Sequence, residues 1–176
     1  MKKVAFFGPP ASGKTTIAGK LAAQMGVAHT DLDEVLFTDA GVLPLEEFRA
    51  AAEQITRGES WVVEGNFSKL ADVVWHQADV LVWLDLPLWL VVWRITVRNL
   101  RQLSGLDTSA QARRLTWKRA FFGRRSLLRT AVRKYRRNRP RYVRQVAETA
   151  ALGVCVVRLR GGREADAWLA EQLGRR

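Results

Sequence analysis

The chain has 176 residues, a length typical of one compact α/β domain, and we expect residues 1–176 to form a single domain. Its one cysteine, Cys155, excludes an internal disulfide, and we expect neither a signal peptide nor a membrane span, hence a cytoplasmic protein. The formal charge of +12 is concentrated in residues 94–144, where 17 Lys or Arg accompany one acid. Such a segment suits contact with phosphate, nucleic acid or an anionic surface.

Apolar runs alternate with helical patterns along the chain. We predict strands at 4–7, 27–30, 61–63, 80–84 and 154–159. Helices are predicted at 14–25, 45–56, 67–76, 88–103 and 164–173, with basic helical sequence from 109 to Pro140 and again to 151. This alternation predicts an α/β fold with a parallel sheet covered on both faces, and ligands at the carboxyl ends of the strands.

A phosphate-binding motif follows the first predicted strand. Residues 8–15 read GPPASGKT and match GxxxxGK[ST] between a strand and a helix. Gly8 and Gly13 allow the sharp turn that points backbone N–H groups at phosphates, while Lys14 adds positive charge. Thr15 offers a hydroxyl to Mg²⁺. The predicted nucleotide contacts in this loop are Gly8, Pro9, Pro10, Ala11, Ser12, Gly13, Lys14, Thr15 and Thr16.

Acidic residues follow three of the predicted strands. They are Asp31 with Asp33, Glu64, and Asp85. A phosphate-binding loop needs a carboxylate that holds the water shell of Mg²⁺, and each of these residues is a candidate. Each is equally well placed to cap the following helix, so both interpretations stay open.

The basic segment admits several interpretations. Arg94 and Arg98 lie four residues apart on one predicted helix, so both can point over the phosphates. The arginines of 113–144 fit a solvated helical face, a mobile lid over the nucleotide, or a nucleic-acid patch.

Several other residues are assigned to structure. We expect three tryptophans of the fourth strand and its helix to pack in the core: Trp83, Trp89 and Trp93. His29, His76 and Cys155 have no catalytic or metal-binding company in the sequence and are interpreted as structural.

Five segments together resemble the adenylate-kinase-like and shikimate-kinase-like P-loop kinases, and most closely the bacterial topology modulation proteins. These segments are GPPASGKTT, HTDLDEV, WVVEGNFS, ADVLVWLDLPLWLVVWRITVR and CVVRLRGGREADAWL, and they span nearly the whole chain. The resemblance implies a three-layer P-loop NTPase fold with a five-stranded parallel sheet of order 2-3-1-4-5. It also implies an acceptor region near residues 31–58 and a basic helical lid near 100–140.

The resemblance further implies roles for individual residues. Asp31 and Asp33 resemble the DxD pair of shikimate-kinase-like enzymes, which contributes to Mg²⁺ and to the acceptor hydroxyl. Glu64 stands where related kinases carry a Walker B acid. The segment from Arg94 to Arg98 is similar to the RIxxR segment of adenylate kinases, whose first arginine packs by adenine and whose second meets phosphate.

Together these patterns favour a Mg²⁺-dependent kinase that moves the γ-phosphoryl group of ATP to a small acceptor, either a nucleotide or a hydroxylated metabolite. Lys14, Asp33 and Arg98 are the predicted catalytic residues, and Thr15, Asp31 and Glu64 the predicted metal ligands. The predicted acceptor contacts are Asp31, Asp33, Glu64 and Asn66. The alternative is a nucleotide-dependent DNA- or RNA-binding regulator whose 94–144 segment contacts nucleic acid.

Overall fold

The structure is a computed structural model that describes residues 1–38, 41–66, 68–106, 116–122 and 126–174. Its strands are β1 (Lys3–Phe7), β2 (His29–Asp31), β3 (Phe37–Thr38), β4 (Gly41–Val42), β5 (Trp61–Glu64), β6 (Val80–Leu84) and β7 (Cys155–Leu159). Its helices are α1 (Lys14–Met25), α2 (Leu32–Leu36), α3 (Leu45–Thr56), α4 (Leu88–Leu103), α5 (Trp117–Phe121), α6 (Leu127–Ala151) and α7 (Gly162–Gly174). A 3₁₀ turn, Ser68–Leu70, and a π turn, Ala71–Trp75, replace the helix predicted at 67–76.

The main sheet has five parallel strands in the order β2-β5-β1-β6-β7. Numbered along the chain, this order differs from the expected 2-3-1-4-5. The difference arises because β3 and β4 form a separate antiparallel hairpin that sequence analysis does not predict. The hairpin strands have two exposed residues each, so they leave no alternating apolar pattern.

Side chains of the central strand β1 alternate between two hydrophobic cores. Val4 and Phe6 pack with α1 and α7 on one face of the sheet. Ala5 and Phe7 pack on the other face, with α3 and α6. Because all four side chains are at most 1% exposed, both faces of this strand are covered, which gives the expected three layers of helix, sheet and helix.

Helix α6 continues through Pro140, where the sequence predicts a break. Proline lacks an N–H group and removes one bond of the helix ladder, so tertiary contacts must hold the helix on both sides of it. Tyr135 donates a hydrogen bond to the Leu86 carbonyl at 2.9 Å, and Tyr142 packs edge-on against Phe7. Other parts of the basic segment, including residues 107–115 and 123–125 of the expected lid, lie outside the described residues.

Two of the tryptophans assigned to the core lie on the surface instead. Trp83 is 3% exposed, but Trp89 and Trp93 are 69% and 62% exposed. They share one face of α4, whereas Val91 and Ile95 on the opposite face are buried. Among the described residues, none of the helices combines the length and apolar character that a bilayer crossing requires.

Candidate functional site

The phosphate loop, residues 8–15, connects the buried end of β1 to the start of α1. Gly8 and Gly13 have φ angles of +153° and +92°, and Ala11 also takes a positive φ, of +58°. A Cβ atom on Gly8 would lie 2.7 Å from the Leu84 carbonyl oxygen. The close approach of β6 therefore requires glycine here, as the motif predicts.

Lys14 lies inside the turn that the loop makes. Its Nζ donates hydrogen bonds to the carbonyl oxygens of Gly8 and Pro9, at 3.2 and 3.3 Å. Burial lowers the pKa of Lys14, and nearby Glu64, Asp33 and Asp31 offset part of that effect. The structure thus brings the predicted catalytic lysine together with three of the predicted carboxylates.

Arg94 holds the loop from the side of α4. Its Nη1 donates to the carbonyl oxygens of Ser12 and Ala11, at 2.8 and 3.4 Å. The same guanidinium reaches the start of α7, because a Cβ on Gly162 would lie 3.5 Å from its Nη2. Arg98, one turn further along, is exposed, and its charge acts with burial to lower the pKa of Lys14.

Glu64 is 2% exposed at the end of β5 and connects the loop to β2. It accepts a hydrogen bond from the Thr15 hydroxyl at 3.2 Å, and its other oxygen lies 2.9 Å from His29 Nε2. Burial raises the pKa of Glu64, although the Thr15 hydrogen bond acts in the opposite direction. The sequence predicts only a structural role for His29, because it shows no catalytic or metal-binding neighbour. In the structure, His29 contacts Glu64, a residue of the candidate site.

The two aspartates beyond β2 have different environments. Asp31 accepts a hydrogen bond from the Asp33 backbone N–H at 2.8 Å and so caps the short helix α2. Asp33 lines a cavity, and burial together with the charge of Asp31 raises the pKa of its carboxyl. The positive charges of Lys14 and Lys134 lower the pKa of Asp33, so both cations lie near it.

Asp85, a third candidate carboxylate from the sequence, is engaged in a structural cluster. Arg139 of α6 donates to both of its oxygens, at 3.1 and 3.0 Å, and Arg158 of β7 also donates, at 2.9 Å. The Arg158 guanidinium lies 4.7 Å above the ring centre of Trp83. Asp85 therefore joins α6 to the sheet and is not free to bind a metal ion.

A cavity of about 410 Å³, here called the central cavity, opens directly beside the phosphate loop. It is lined by Gly8, Pro9, Pro10, Asp33, Phe37, Asn66, Trp83 and Asp85, and by Lys134, Tyr135, Arg137, Asn138, Arg139 and Tyr142 of α6. Asn66 also fixes the loop, because its Oδ1 accepts a hydrogen bond from the Gly8 N–H at 2.8 Å. The long basic helix α6 thus contributes much of the wall of this cavity.

The loop and its neighbours fit a nucleotide with Mg²⁺. Ser12 Oγ is buried within the loop and has no hydrogen-bond partner among the described residues, which suits a group that meets a phosphate oxygen. Thr15 and Thr16 are exposed at the start of α1. In the described part of the chain, no three His, Cys, Asp or Glu residues form a metal cluster. Mg²⁺ at a nucleotide needs only one or two carboxylates besides phosphates and water, and Glu64 with Asp31 meets that requirement.

Comparisons with known proteins identify the fold. No protein-family model matches this chain, and no curated protein matches it.

Among solved structures, it is similar to shikimate kinase from Acinetobacter baumannii in complex with shikimate, with 16% identity and a TM-score of 0.57 over 98% of this chain and 91% of that one. Shikimate kinase from Bacteroides thetaiotaomicron is 12% identical, with a TM-score of 0.57 over 98% and 97% of the two chains. A gluconokinase from Sinorhizobium meliloti 1021 is 18% identical, with a TM-score of 0.53 over 97% and 93%. The chain therefore shares the fold of these P-loop kinases.

Proposed function

We propose that this protein is a phosphotransferase that moves the γ-phosphoryl group of ATP to a hydroxyl group of a small metabolite. One observation carries the proposal: the phosphate loop and Asp33 line the same cavity, the central cavity. An acceptor in this cavity would lie next to the terminal phosphate of a nucleotide held by the loop. The similarity to structures named shikimate kinase and gluconokinase supports a hydroxylated acceptor.

The nucleotide would be held by the backbone of residues 8–16 and by Lys14. Arg94 stabilises the conformation of the loop by donating to two of its carbonyl oxygens. The same side chain lies beside Gly162, so the nucleotide base would bind near the start of α7. Thr15, with Glu64 and Asp31, would hold Mg²⁺. When bound, this ion neutralises negative charge on the β and γ phosphates.

The transfer step needs a proton acceptor beside the hydroxyl. Asp33 takes the proton as the acceptor oxygen forms its bond to the γ phosphorus, and the bond from that phosphorus to the bridging oxygen breaks. ADP leaves with the bonding electron pair. Lys14 and Arg98 stabilise the negative charge that spreads over the transferring group.

The alternative of a nucleotide-dependent DNA- or RNA-binding regulator, of the topology modulation type, has less support. Lys134 and Arg137, two cations of the basic segment, line the central cavity, and Arg139 is paired with Asp85. These side chains therefore do not form a separate nucleic-acid surface. Nucleic-acid binding predicts that affinity for duplex DNA falls steeply and linearly on a log–log plot against salt. A small-molecule kinase predicts weak DNA binding at every salt concentration.

The test is ATP turnover with purified protein and Mg²⁺, measured alone, with shikimate, gluconate, other hydroxylated metabolites and nucleoside monophosphates, and with DNA. We expect one hydroxylated acceptor to accelerate ADP release and to appear as a phosphorylated product by mass spectrometry. Acceleration by DNA alone, without a phosphorylated product, would move the assignment to the nucleic-acid regulator.

Asp33→Asn is expected to lower kcat by about 100-fold or more, because an amide cannot take the acceptor proton. The matched control is Glu34→Gln, a change of the exposed neighbouring acid in the same short helix, and it should stay within about twofold of the unmodified protein. Both are measured as steady-state ADP release with the acceptor found above. An Asp33→Asn protein with more than half the normal kcat would show that another group accepts the proton.

A further inference from the structure

A second cavity of about 340 Å³, here called the outer cavity, adjoins the central cavity on the side away from the phosphate loop. The two cavities share four lining residues: Asn66, Arg137, Asn138 and Tyr142. The phosphate loop and Asp33 line only the central cavity. Because both cavities border the same four residues, the far end of a molecule with its hydroxyl at Asp33 would lie next to the outer cavity.

The outer cavity has an apolar wall built by α2, α3 and the segments next to them. The apolar wall is formed by Leu36, Leu43, Leu45, Leu70 and the aromatic ring of Phe48. The two amide oxygens of the cavity are already engaged, because Asn66 Oδ1 accepts from the Gly8 N–H and Asn138 Oδ1 accepts a long bond from Arg137 Nε. The apolar wall therefore suits a hydrocarbon part of a ligand, and the polar groups of the cavity lie on its other side.

The remaining wall of the outer cavity is positively charged. Arg137 and Arg141 lie four residues apart on α6, and Lys69 faces the cavity from the 3₁₀ turn. Among the residues that the structure describes, no carboxylate forms an ion pair with any of these three cations. Guanidinium groups in this position match a carboxylate or a phosphate group of a ligand.

We infer that the outer cavity is a subsite for the far end of the acceptor, and that this acceptor is an amphipathic anion. Its hydroxyl lies at Asp33, and its aliphatic body lies against the apolar wall of the outer cavity. Its carboxylate or phosphate group contacts Arg137 and Arg141. The assignment of the hydroxyl end rests on the proposed function, whereas the aliphatic and anionic contacts belong to the outer cavity itself.

Binding of simple probes tests the subsite without any phosphoryl transfer. Calorimetric titration of the intact chain with butyrate, hexanoate and octanoate should show affinity rising roughly threefold per added methylene. Octanol, which has no charge, should bind about tenfold more weakly than octanoate. Octyl phosphate distinguishes the two anion types, because the tighter of the two eight-carbon anions names the group that the arginines prefer.

Two variants test the two parts of the subsite. Arg141→Met keeps the apolar stem of this side chain and should weaken octanoate binding by about 5- to 10-fold with little effect on octanol. Arg144→Met, on the same helix but outside both cavities, is its control. Leu45→Trp, at a half-exposed position on the cavity wall, should abolish the chain-length dependence, and Val42→Trp on the exposed hairpin should not.

Equal affinity for butyrate and octanoate, or for octanol and octanoate, would overturn the subsite. Equal effects of a variant and its control would overturn it as well. Failure of the subsite differs from failure of the proposed function. If a short hydroxylated acceptor is phosphorylated while chain length has no effect, only the subsite fails. If the probes bind as expected but no acceptor is phosphorylated, the site for an amphipathic anion in the outer cavity stands and the kinase assignment fails.

Discussion

Replacing Lys14 with alanine is expected to reduce acceptor phosphorylation by at least about 100-fold. The Lys14 ammonium lies inside the phosphate loop, on the carbonyl oxygens of Gly8 and Pro9, where it would meet the β and γ phosphates. Its removal withdraws a positive charge from a buried position, where electrostatic stabilisation of the transferring group is strongest. The measurement is single-turnover phosphoryl transfer at saturating ATP and Mg²⁺.

The same substitution should not unfold the protein. Burial lowers the pKa of Lys14 in the folded chain, so at neutral pH its charged form is disfavoured by folding and its removal takes away that cost. We therefore expect an unchanged or slightly higher Tm for Lys14→Ala. Lys20→Ala, at an exposed position of the same helix α1, is the matched control and should leave both turnover and Tm unchanged. Normal turnover by Lys14→Ala would refute the assignment of residues 8–15.

Asp85→Ala is expected to lower the Tm by about 5–10 °C. Its side chain is only 4% exposed and binds two arginines, whereas those arginines are 42% and 37% exposed. Removal of one partner from a buried ion pair costs about 3–5 kcal/mol, but water can reach both arginines here, so we expect about 2–3 kcal/mol. Since Arg139 joins α6 to the sheet, the variant should also bind the acceptor more weakly, seen as a higher KM.

A second aspartate provides the control for this experiment. Asp72 also pairs with an arginine, Arg49, but its side chain is 52% exposed, and Asp72→Ala should cost no more than about 1 kcal/mol. Both variants are compared by thermal unfolding at the same pH and salt concentration. Equal Tm values for the two variants would show that the Asp85 cluster does not hold the helix and sheet together.

The sequence predicts the bounds of a helix best where a glycine or a proline stands next to its first or last residue. The predicted bounds of α1, α3 and α4 agree with the structure, because Gly13, Gly26, Pro44 and Pro87 mark where these helices begin or end. The break predicted at Pro140 is wrong because contacts distant in the chain hold that helix together. The core assignment of Trp89 and Trp93 is also wrong, although their spacing opposite Val91 and Ile95 already indicates a different face.

The sequence predicts the site residues that belong to one motif or follow a strand. It does not predict contacts between side chains that are distant along the chain. The loop, Glu64 and Asp33 come from strand ends that a parallel sheet brings together. The contact of His29 with Glu64 is not apparent from the sequence, although His29 lies two residues before Asp31 on the strand beside that of Glu64. The partners of Asp85 lie 54 and 73 residues away, and in a chain so rich in arginine nothing local distinguishes Arg139 and Arg158 from the others.

The position of Trp83 gives the protein an internal optical signal. This indole is stacked on Phe7, lies under the Arg158 guanidinium and forms part of the central cavity wall. The exposed indoles of Trp89 and Trp93 are open to a soluble quencher such as iodide, while that of Trp83 is shielded. Iodide leaves the emission of the buried indoles Trp61, Trp75 and Trp83, and of these three only Trp83 lines the central cavity. A molecule that enters this cavity therefore changes the emission of Trp83 directly, so entry can be followed by fluorescence without any attached dye.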